Sequence, residues 1–322
     1  MEAHAFPPVR DCWFLTGPTA SGKSRLALPM AQLLDAEILS LDSMALFSGM
    51  DIGTAKPSAA DRAVVPHHLL DLVAPDQDYS LADYLAAAHA CVAQVQGRGK
   101  RVLFVGGTPL YLKALLRGLC EGPPADWDFR RAVEAEIGEV GVGALHERLR
   151  QVDPLAAAKL HPNDQRRIIR ALEVNRLTGR PLSHLQTQFD ELAAEANCRV
   201  ATLEWPRGEL HGRIERRVEQ MFRAGLVDEV RGLRARYARW SRTALQAVGY
   251  AEVLEHLEGG ADLPTTVERV QARTRQFARR QETWFRSLSE CRRWPQSESE
   301  GALPSPDEAA RRLLEQVFPE AT

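Results

Sequence analysis

Lysine is scarce in this 322-residue chain: five of its 41 basic residues are Lys and the rest are Arg. Cysteine is sparse too. Cys12, Cys91, Cys120, Cys198 and Cys291 are scattered, and no two lie within metal-ligand spacing. That excludes zinc ribbons and disulfide-stapled scaffolds, and a reducing cytoplasm is the expected setting. No apolar run approaches the roughly 18 residues needed to cross a bilayer, so no membrane span is expected. The first eleven residues lack the apolar stretch of a secretory leader. With 44% apolar and 26% charged residues the chain is neither disordered nor of low complexity, and its length suits one large domain or two smaller ones.

A strong net charge is missing as well. At −2 the chain is no general polyanion binder, but the charge is unevenly spread. Between Thr265 and Arg293 eight arginines face three glutamates, leaving +5 there and −7 elsewhere. A basic segment of this kind can hold a polyanion on one face of a near-neutral protein.

What is present is an alternation of short apolar runs and helical patterns. Cys12 to Thr16, Ile38 to Leu41 and Val102 to Val105 read as buried strands, each closed by a Gly or Asp turn. Ser24 to Leu34 has helical spacing, with Pro29 expected to kink or shorten it. Ser80 is placed to cap a helix running to Gln96. This alternation predicts an α/β fold with a parallel sheet and crossover helices. Residues 126–196 show helical patterns and no strand, whereas Arg199 to Trp205 resumes the sheet. The expected organisation is therefore a core made of residues 1–125 and 197–322, interrupted by a helical insertion at 126–196. A last amphipathic stretch spans Pro306 to Val317.

The chemistry concentrates past the strand ends, where ligands bind in such sheets. Gly17-Pro-Thr-Ala-Ser-Gly-Lys-Ser24 fits the phosphate-loop pattern between a strand and a helix. Its glycines let backbone N–H groups curl around an anion at a helix N-terminus. Lys23 adds a charge, and the Ser24 hydroxyl suits Mg²⁺. Asp42 follows the second strand as a general base, an indirect Mg²⁺ holder or a plain helix cap. Gly106-Gly-Thr108 follows the third, either to place a hydroxyl and amides at the same crevice or as a simple turn. Arg213, Arg216 and Arg217 share a predicted helix with Glu215 and Glu219. They form a solvated charged face or include an arginine on a phosphate. Arg273 to Arg286 alternates cations with Phe277, Trp284 and Phe285, as an amphipathic helix in water or a phosphate-contacting one. His67 and His68 are expected to be structural. His161-Pro-Asn-Asp164 reads as a turn capping the helix that starts near Gln165.

In order along the chain, these elements resemble the tRNA dimethylallyltransferases (tRNA isopentenyltransferases). The resemblance runs from about residue 12 to residue 288. It is carried by Gly17–Ser24, Asp42–Pro57 with Gly49-Met-Asp-Ile-Gly-Thr-Ala-Lys-Pro57, Pro66-His67, Gly106-Gly-Thr108 and His161–Asp164 leading into Arg170-Ala-Leu-Glu173. Arg213 to Met221, Val248-Gly-Tyr250 and the Arg273–Arg286 block complete it. It implies a P-loop NTPase-like core and transfer of a dimethylallyl group from dimethylallyl diphosphate to N6 of adenosine 37 in the tRNA anticodon stem-loop. In that reading Gly17, Pro18, Thr19, Ala20, Ser21, Gly22, Lys23 and Ser24 cradle the diphosphate, with Ser24 on Mg²⁺. Asp42 is the base, Thr108 holds the reacting groups and Arg217 reaches the diphosphate. The tRNA would meet Asp42, Ser43, Met44 and Ala45, Thr108, Arg130, and Arg166, Arg167, Ile168, Ile169 and Arg170. It would also meet Gln246, Ala247, Val248, Gly249, Tyr250 and Ala251, and Arg280, Gln281, Glu282, Thr283, Trp284, Phe285, Arg286 and Ser287. The insertion would embrace the anticodon stem, and a cytoplasmic monomer is expected.

The sequence departs from the family at Ala45, Phe47, Gln246 and Ala251, where Gln, Tyr, Arg and a basic residue are frequent. No C-terminal zinc finger accompanies it. Other readings are a free-adenylate prenyltransferase, which should need neither the insertion nor the basic block, a P-loop small-molecule kinase, and a non-catalytic RNA-binding or switch protein.

Overall fold

A computed structural model describes residues 6–119, 122–186, 198–298 and 303–319. Contacts divide the chain into two units. One comprises the described parts of Met1–Pro8 and Arg117–Glu195; the other comprises Val9–Leu116 and the described parts of Ala196–Thr322.

The larger unit is built on β1 (Cys12–Thr16), β2 (Ala36–Ser40), β3 (His67–His68), β4 (Arg101–Val105), β5 (Arg199–Glu204) and β6 (Cys291–Pro295). All pairings are parallel and the spatial order is β3-β2-β4-β1-β5-β6. β1 and β2 are buried along their whole length, as a sheet covered on both faces requires. Because the strands run the same way, residues 17, 42 and 108 emerge at one edge of the sheet.

Helices cover the sheet. α1 (Lys23–Leu34) and the last helix of the chain, Pro306–Val317, share an apolar cluster with β1 and β5. Leu26, Met30 and Leu34 meet Ala309, Leu313 and Val317 there. Pro29 neither kinks the chain into two helices nor shortens α1; it sits inside the helix and is buried. Packing on two sides outweighs the roughly 3 kcal/mol that an interior proline costs. α2 is the short helix Ala59–Val64. α3 (Leu81–Gly97) starts at Ser80 with a full capping box: the Ser80 side chain takes the Asp83 N–H, and the Asp83 carboxylate takes the Ser80 N–H. α4 (Pro109–Arg117) brings Tyr111 onto Tyr84 with ring centroids 3.9 Å apart, and the Tyr84 hydroxyl donates to Ser40 O at 2.9 Å. That bond holds the end of β2 two residues before Asp42.

His68 helps pair edge strand β3 to β2, whereas His67, with Nδ1 2.7 Å from Val65 O, lies on the lining of the cleft described below. His68 Nε2 lies 2.5 Å from Glu37 Oε2, and Arg98 closes on the same carboxylate at 2.8 Å.

The smaller unit is helical. α5 (Trp127–Val152) is broken at Gly141, whose φ of 77° no helix accepts. α6 (Pro154–Lys159), α7 (Gln165–Thr178) and α8 (Leu182–Gln186) follow. Phe129, Val133, Leu145, Leu149, Ile168, Ile169 and Leu172 form its core. Asp153 takes the N–H groups of Ala156 and Ser183 and so caps α6 and seats α8. Asp164 caps α7 through the Arg167 N–H, as the turn at 161–164 predicts.

After β5 the larger unit continues with α9 (Arg207–Arg223), α10 (Leu226–Arg236), α11 (Tyr250–Leu257), α12 (Leu263–Arg286) and, after β6, α13 (Pro306–Val317).

Candidate active site

The loop between β1 and α1 folds as its glycines dictate. Gly17 has φ of 140°, and a Cβ there would lie 2.8 Å from Leu203 O. Gly22 caps α1 in the left-handed region, which turns the helix N-terminus towards the cleft. Three side chains from distant elements pin consecutive residues of the loop. Thr19 N–H donates to Gln281 Oε1 at 2.8 Å, Arg213 Nε donates to Ala20 O at 2.9 Å, and Trp205 Nε1 donates to Ser21 O at 2.8 Å. The Arg213 guanidinium lies over the Trp205 ring, 4.0 Å from its centroid.

Lys23 reaches back into this loop. Its Nζ donates to Gly17 O at 2.9 Å and Pro18 O at 2.7 Å. Burial, reinforced by the nearby Arg217 guanidinium, pushes its ammonium down to about 7, against some support from the Asp42 charge. Burial also lowers Arg217, and Asp42 again opposes. Two cations thus crowd one place with one carboxylate near them.

The opposite wall comes from the ends of β2 and β4. Asp42 Oδ1 accepts from Met44 N–H at 2.8 Å, the turn contact expected of a capping residue, and Asp42 also lines the cleft.

 Thr108 Oγ1 accepts from Ser43 N–H at 3.0 Å, and Thr108 N–H donates to Leu41 O. Successive backbone N–H groups of one turn thus fix the two side chains, Ser43 holding the Thr108 hydroxyl and Met44 the Asp42 carboxylate. Both glycines before Thr108 have a reason. A Cβ on Gly106 would lie 2.1 Å from Leu41 O, and one on Gly107 would lie 2.6 Å from Gln281 Nε2. The two walls enclose a cleft of about 540 Å³ lined by Lys23, Ser24, Asp42, Arg217, Gln281 and the 54–57 segment, among others.

That 54–57 segment is braced from behind. Lys56, whose side chain is 1% exposed, pairs with Asp51 at 2.8 Å and Asp71 at 2.5 Å and donates to Phe47 O. Glu229 takes the Ile52 N–H at 2.8 Å and the Tyr250 hydroxyl at 2.6 Å, while Gly53 N–H donates to that same hydroxyl at 3.1 Å. Gly53 leaves room for the ring: a Cβ there would sit 2.2 Å from Tyr250 Cε2.

The α9 arginines divide. Arg213 and Arg216 both pair with Glu298, at 2.5 Å and 3.2 Å, whereas Arg217 has no carboxylate within ion-pair reach among the described residues. Of the three, Arg217 is the one free to meet an anion in the cleft. The arginines of α12 divide in the same way. Arg269 and Arg275 pair with Glu255 and Glu215, and Arg273 pairs with Glu252. Arg279 and Arg280 are exposed and have no such partner among the described residues.

Several positions that the resemblance assigns to tRNA turn inward. The side chains of Ala45, Ile168, Ile169, Ala247, Tyr250, Gln281 and Phe285 are buried. They pack or brace their segments instead of presenting a side chain to a polyanion. Ser43, Met44, Val248, Ala251, Glu282 and Trp284 are half-buried, and Arg166, Arg167, Gln246, Arg280, Thr283, Arg286 and Ser287 are exposed. In the helical unit Arg130 and Arg170 are committed to Glu173. Arg130 meets both its oxygens, at 2.8 Å and 2.7 Å, and Arg170 joins the same carboxylate and Pro123 O.

Sequence reasoning missed Trp205, Glu229, Lys56 and the bracing role of Gln281. The only local sign was a Trp directly after a strand and a Lys inside the 49–57 motif; their partners lie far away along the chain.

Among the described residues no three His, Cys, Asp or Glu side chains gather as a metal cage. A Mg²⁺ ion does not need one. It commonly takes one or two protein oxygens and completes its shell with phosphate and water, and the Ser24 hydroxyl at the start of α1 suits that pattern.

Comparison with known proteins agrees with this geometry. Residues 45–288 match the family model described as IPP transferase. The tRNA dimethylallyltransferase of Rhodopirellula baltica is 51% identical over 320 residues, covering 97% of this chain and 96% of that protein. The crystal structure of the tRNA isopentenylpyrophosphate transferase of Bacillus halodurans is 34% identical, with a TM-score of 0.69, and covers 97% of this chain and 98% of its own. A eukaryotic dimethylallyltransferase solved acting on tRNA shares the fold, with a TM-score of 0.80 at 24% identity, covering 97% of this chain and 80% of that one. The phosphate loop, the carboxylate across from it and these matches together place the chain in the IPP transferase family.

Proposed function

We propose that this protein transfers a dimethylallyl group from dimethylallyl diphosphate to N6 of adenosine 37 in tRNA. The observation that carries the reading is a single cleft. It holds an anion loop with an under-compensated Lys23 and an Arg217 without an ion-pair partner among the described residues on one side, and Asp42 on the other, with the neighbouring Ser43 N–H tied to Thr108.

The chemistry assigns each group a task. The bond between the allylic carbon and the diphosphate oxygen breaks as the bond to N6 forms. The departing diphosphate gathers negative charge, and Lys23, Arg217 and the N–H groups at the start of α1 stabilise it where it leaves. Ser24 would hold Mg²⁺, which would supply further neutralisation of the diphosphate. The N6 proton passes to the Asp42 carboxylate, within whose reach an exocyclic amine becomes an adequate nucleophile. Thr108 keeps the 42–43 turn in place and offers its hydroxyl beside the acceptor. The adenine must leave its stack to enter such a cleft, at a cost of about a few kcal/mol. The unpaired arginines near the end of α12 are suited to offset that cost through backbone phosphates, with the helical unit contacting the anticodon stem. The proposed working unit is a cytoplasmic monomer.

The test is incubation with labelled dimethylallyl diphosphate, Mg²⁺ and an unmodified anticodon stem-loop, followed by nucleoside analysis. Label is expected in an N6-substituted adenosine. Asp42→Asn should abolish transfer while tRNA still binds. Label entering free AMP with an inert stem-loop, or phosphate passing from ATP to an acceptor, would replace this reading with a nucleotide prenyltransferase or a kinase.

A further inference from the structure

Gln281 is a polar side chain only 3% exposed, on a helix whose neighbouring arginines point outward. Buried amides of this kind are retained where both ends have work to do. Here both ends are engaged by main chain. Oε1 accepts the Thr19 N–H of the phosphate loop at 2.8 Å, and Nε2 donates to Gly107 O at 2.5 Å. The orientation of the amide is not arbitrary. Thr19 N–H can only donate, so the oxygen must face it, and the nitrogen must then face the carbonyl.

The two loops joined this way carry opposite halves of the chemistry. The phosphate loop bears Lys23 and Ser24. The Gly-Gly-Thr loop bears Thr108, which holds the turn beginning at Asp42. Gly107 is shaped to receive the amide, since any side chain there would overlap Gln281 Nε2. One residue away on the same helix, Arg280 is exposed and has no ion-pair partner among the described residues.

We propose that Gln281 is a positioning residue: it fixes the distance between the leaving-group loop and the loop that orients the base, from a helix whose exposed face meets the nucleic acid. This rests on the prenyl-transfer reading above. The segment that contains it is thereby divided between two duties, with Arg280 facing outward for the polyanion and Gln281 facing inward as the strut of the cleft. Near-attack geometry is sensitive to such a spacing, and a misplacement of about 1 Å can cost on the order of 100-fold in rate.

The experiment compares Gln281→Met and Gln281→Glu in the full-length chain, by steady-state kinetics across pH and by tRNA binding. Met keeps the length and loses both hydrogen bonds. It is expected to lower kcat by about 100-fold with tRNA Kd within about twofold of the parent. Glu is the sharper probe. As a carboxylate it still accepts from Thr19 but faces Gly107 O with no proton; when protonated it donates and restores the bridge. Gln281→Glu relative to the parent should therefore recover as pH falls, and Gln281→Met should not. Packing alone would not produce that split. Wild-type kcat in Gln281→Met, or a raised tRNA Kd with kcat unchanged, would overturn the strut and make Gln281 a filler or a tRNA contact. Both variants are assayed beside Asp42→Asn. If Asp42→Asn is also fully active, the prenyl-transfer mechanism has failed; if it is dead while Gln281→Met is normal, only the strut has.

Discussion

Two charged side chains are held on opposite terms in the two units. In the helical unit Glu173 is fully buried, and burial alone would raise its pKa. The hydrogen bonds from Arg130 and Arg170 and the Asp126 N–H more than compensate and hold it below the usual carboxylate range. In the α/β unit Lys23 has, among the described residues, only backbone carbonyls and a serine hydroxyl as hydrogen-bond partners, and a second cation close by. Glu173 is answered from every side and is an architectural charge. Lys23 is left short of negative charge, which is the mark of a group reserved for an incoming anion. The same distinction separates Arg269 from Arg280 on α12 and Arg213 from Arg217 on α9.

Within this comparison of charges the largest effect should follow from Lys23→Met. Transfer is expected to fall by about 10²–10³-fold, the loss typical when a donor to developing charge is removed. Stability should move the other way. Below about pH 7 the lysine is charged in both folded and unfolded chains, and the folded state bears the full penalty. Between about 7 and the ordinary value of 10.5 the folded chain has shed that proton and the unfolded chain has not, so stability rises with pH across this window. The variant should be the more stable protein at low pH, with the gap closing towards pH 10.5, as urea unfolding at stepped pH will read. Diphosphate binding near about pH 8 should take up a proton, seen as a buffer-dependent binding enthalpy. A buffer-independent enthalpy would place Lys23 on the same footing as Glu173.

Glu173→Gln comes next. It leaves Arg130 and Arg170 sharing an uncharged partner, and it should destabilise the helical unit by about 3 kcal/mol. Faster amide exchange in α7, with β1 and β4 unaffected, is the expected signature. Unchanged exchange would show that the two arginines reach water readily and that the comparison overstates their commitment.

The smallest effect is on α12. Arg280→Ala should weaken tRNA binding by about 1 kcal/mol and reduce the salt slope by about 1, while Arg269→Ala should leave both unaltered. Equal losses at the two positions would mean that pairing with Glu255 does not withdraw an arginine from the nucleic acid.

Much of this was legible along the chain because the causes are local. The phosphate loop, the Ser80 cap and the Asp164 turn each depend on residues within a few positions of one another. What stayed hidden depends on partners far away. Thr19 meets Gln281 across 262 residues, and Ser21 meets Trp205 across 184. β3 is two residues long, and β6 is an edge strand in which Trp294 alone is buried, so neither leaves an apolar run to read. Pro29 was misjudged because helix propensity is a local quantity, whereas the packing that overrides it comes from α13. The inward turn of Gln281 among outward arginines follows a helical face that the run of charges obscures.

The fit of Gly53 against the Tyr250 ring carries its own consequence. These positions stand 197 residues apart, yet they share one volume. An added methyl at the first is tolerable only if the second gives up its ring, and losing that ring unfastens Glu229 as well. Mutational drift must therefore treat the two as a single locus, and a second-site suppressor of damage at one should be found at the other.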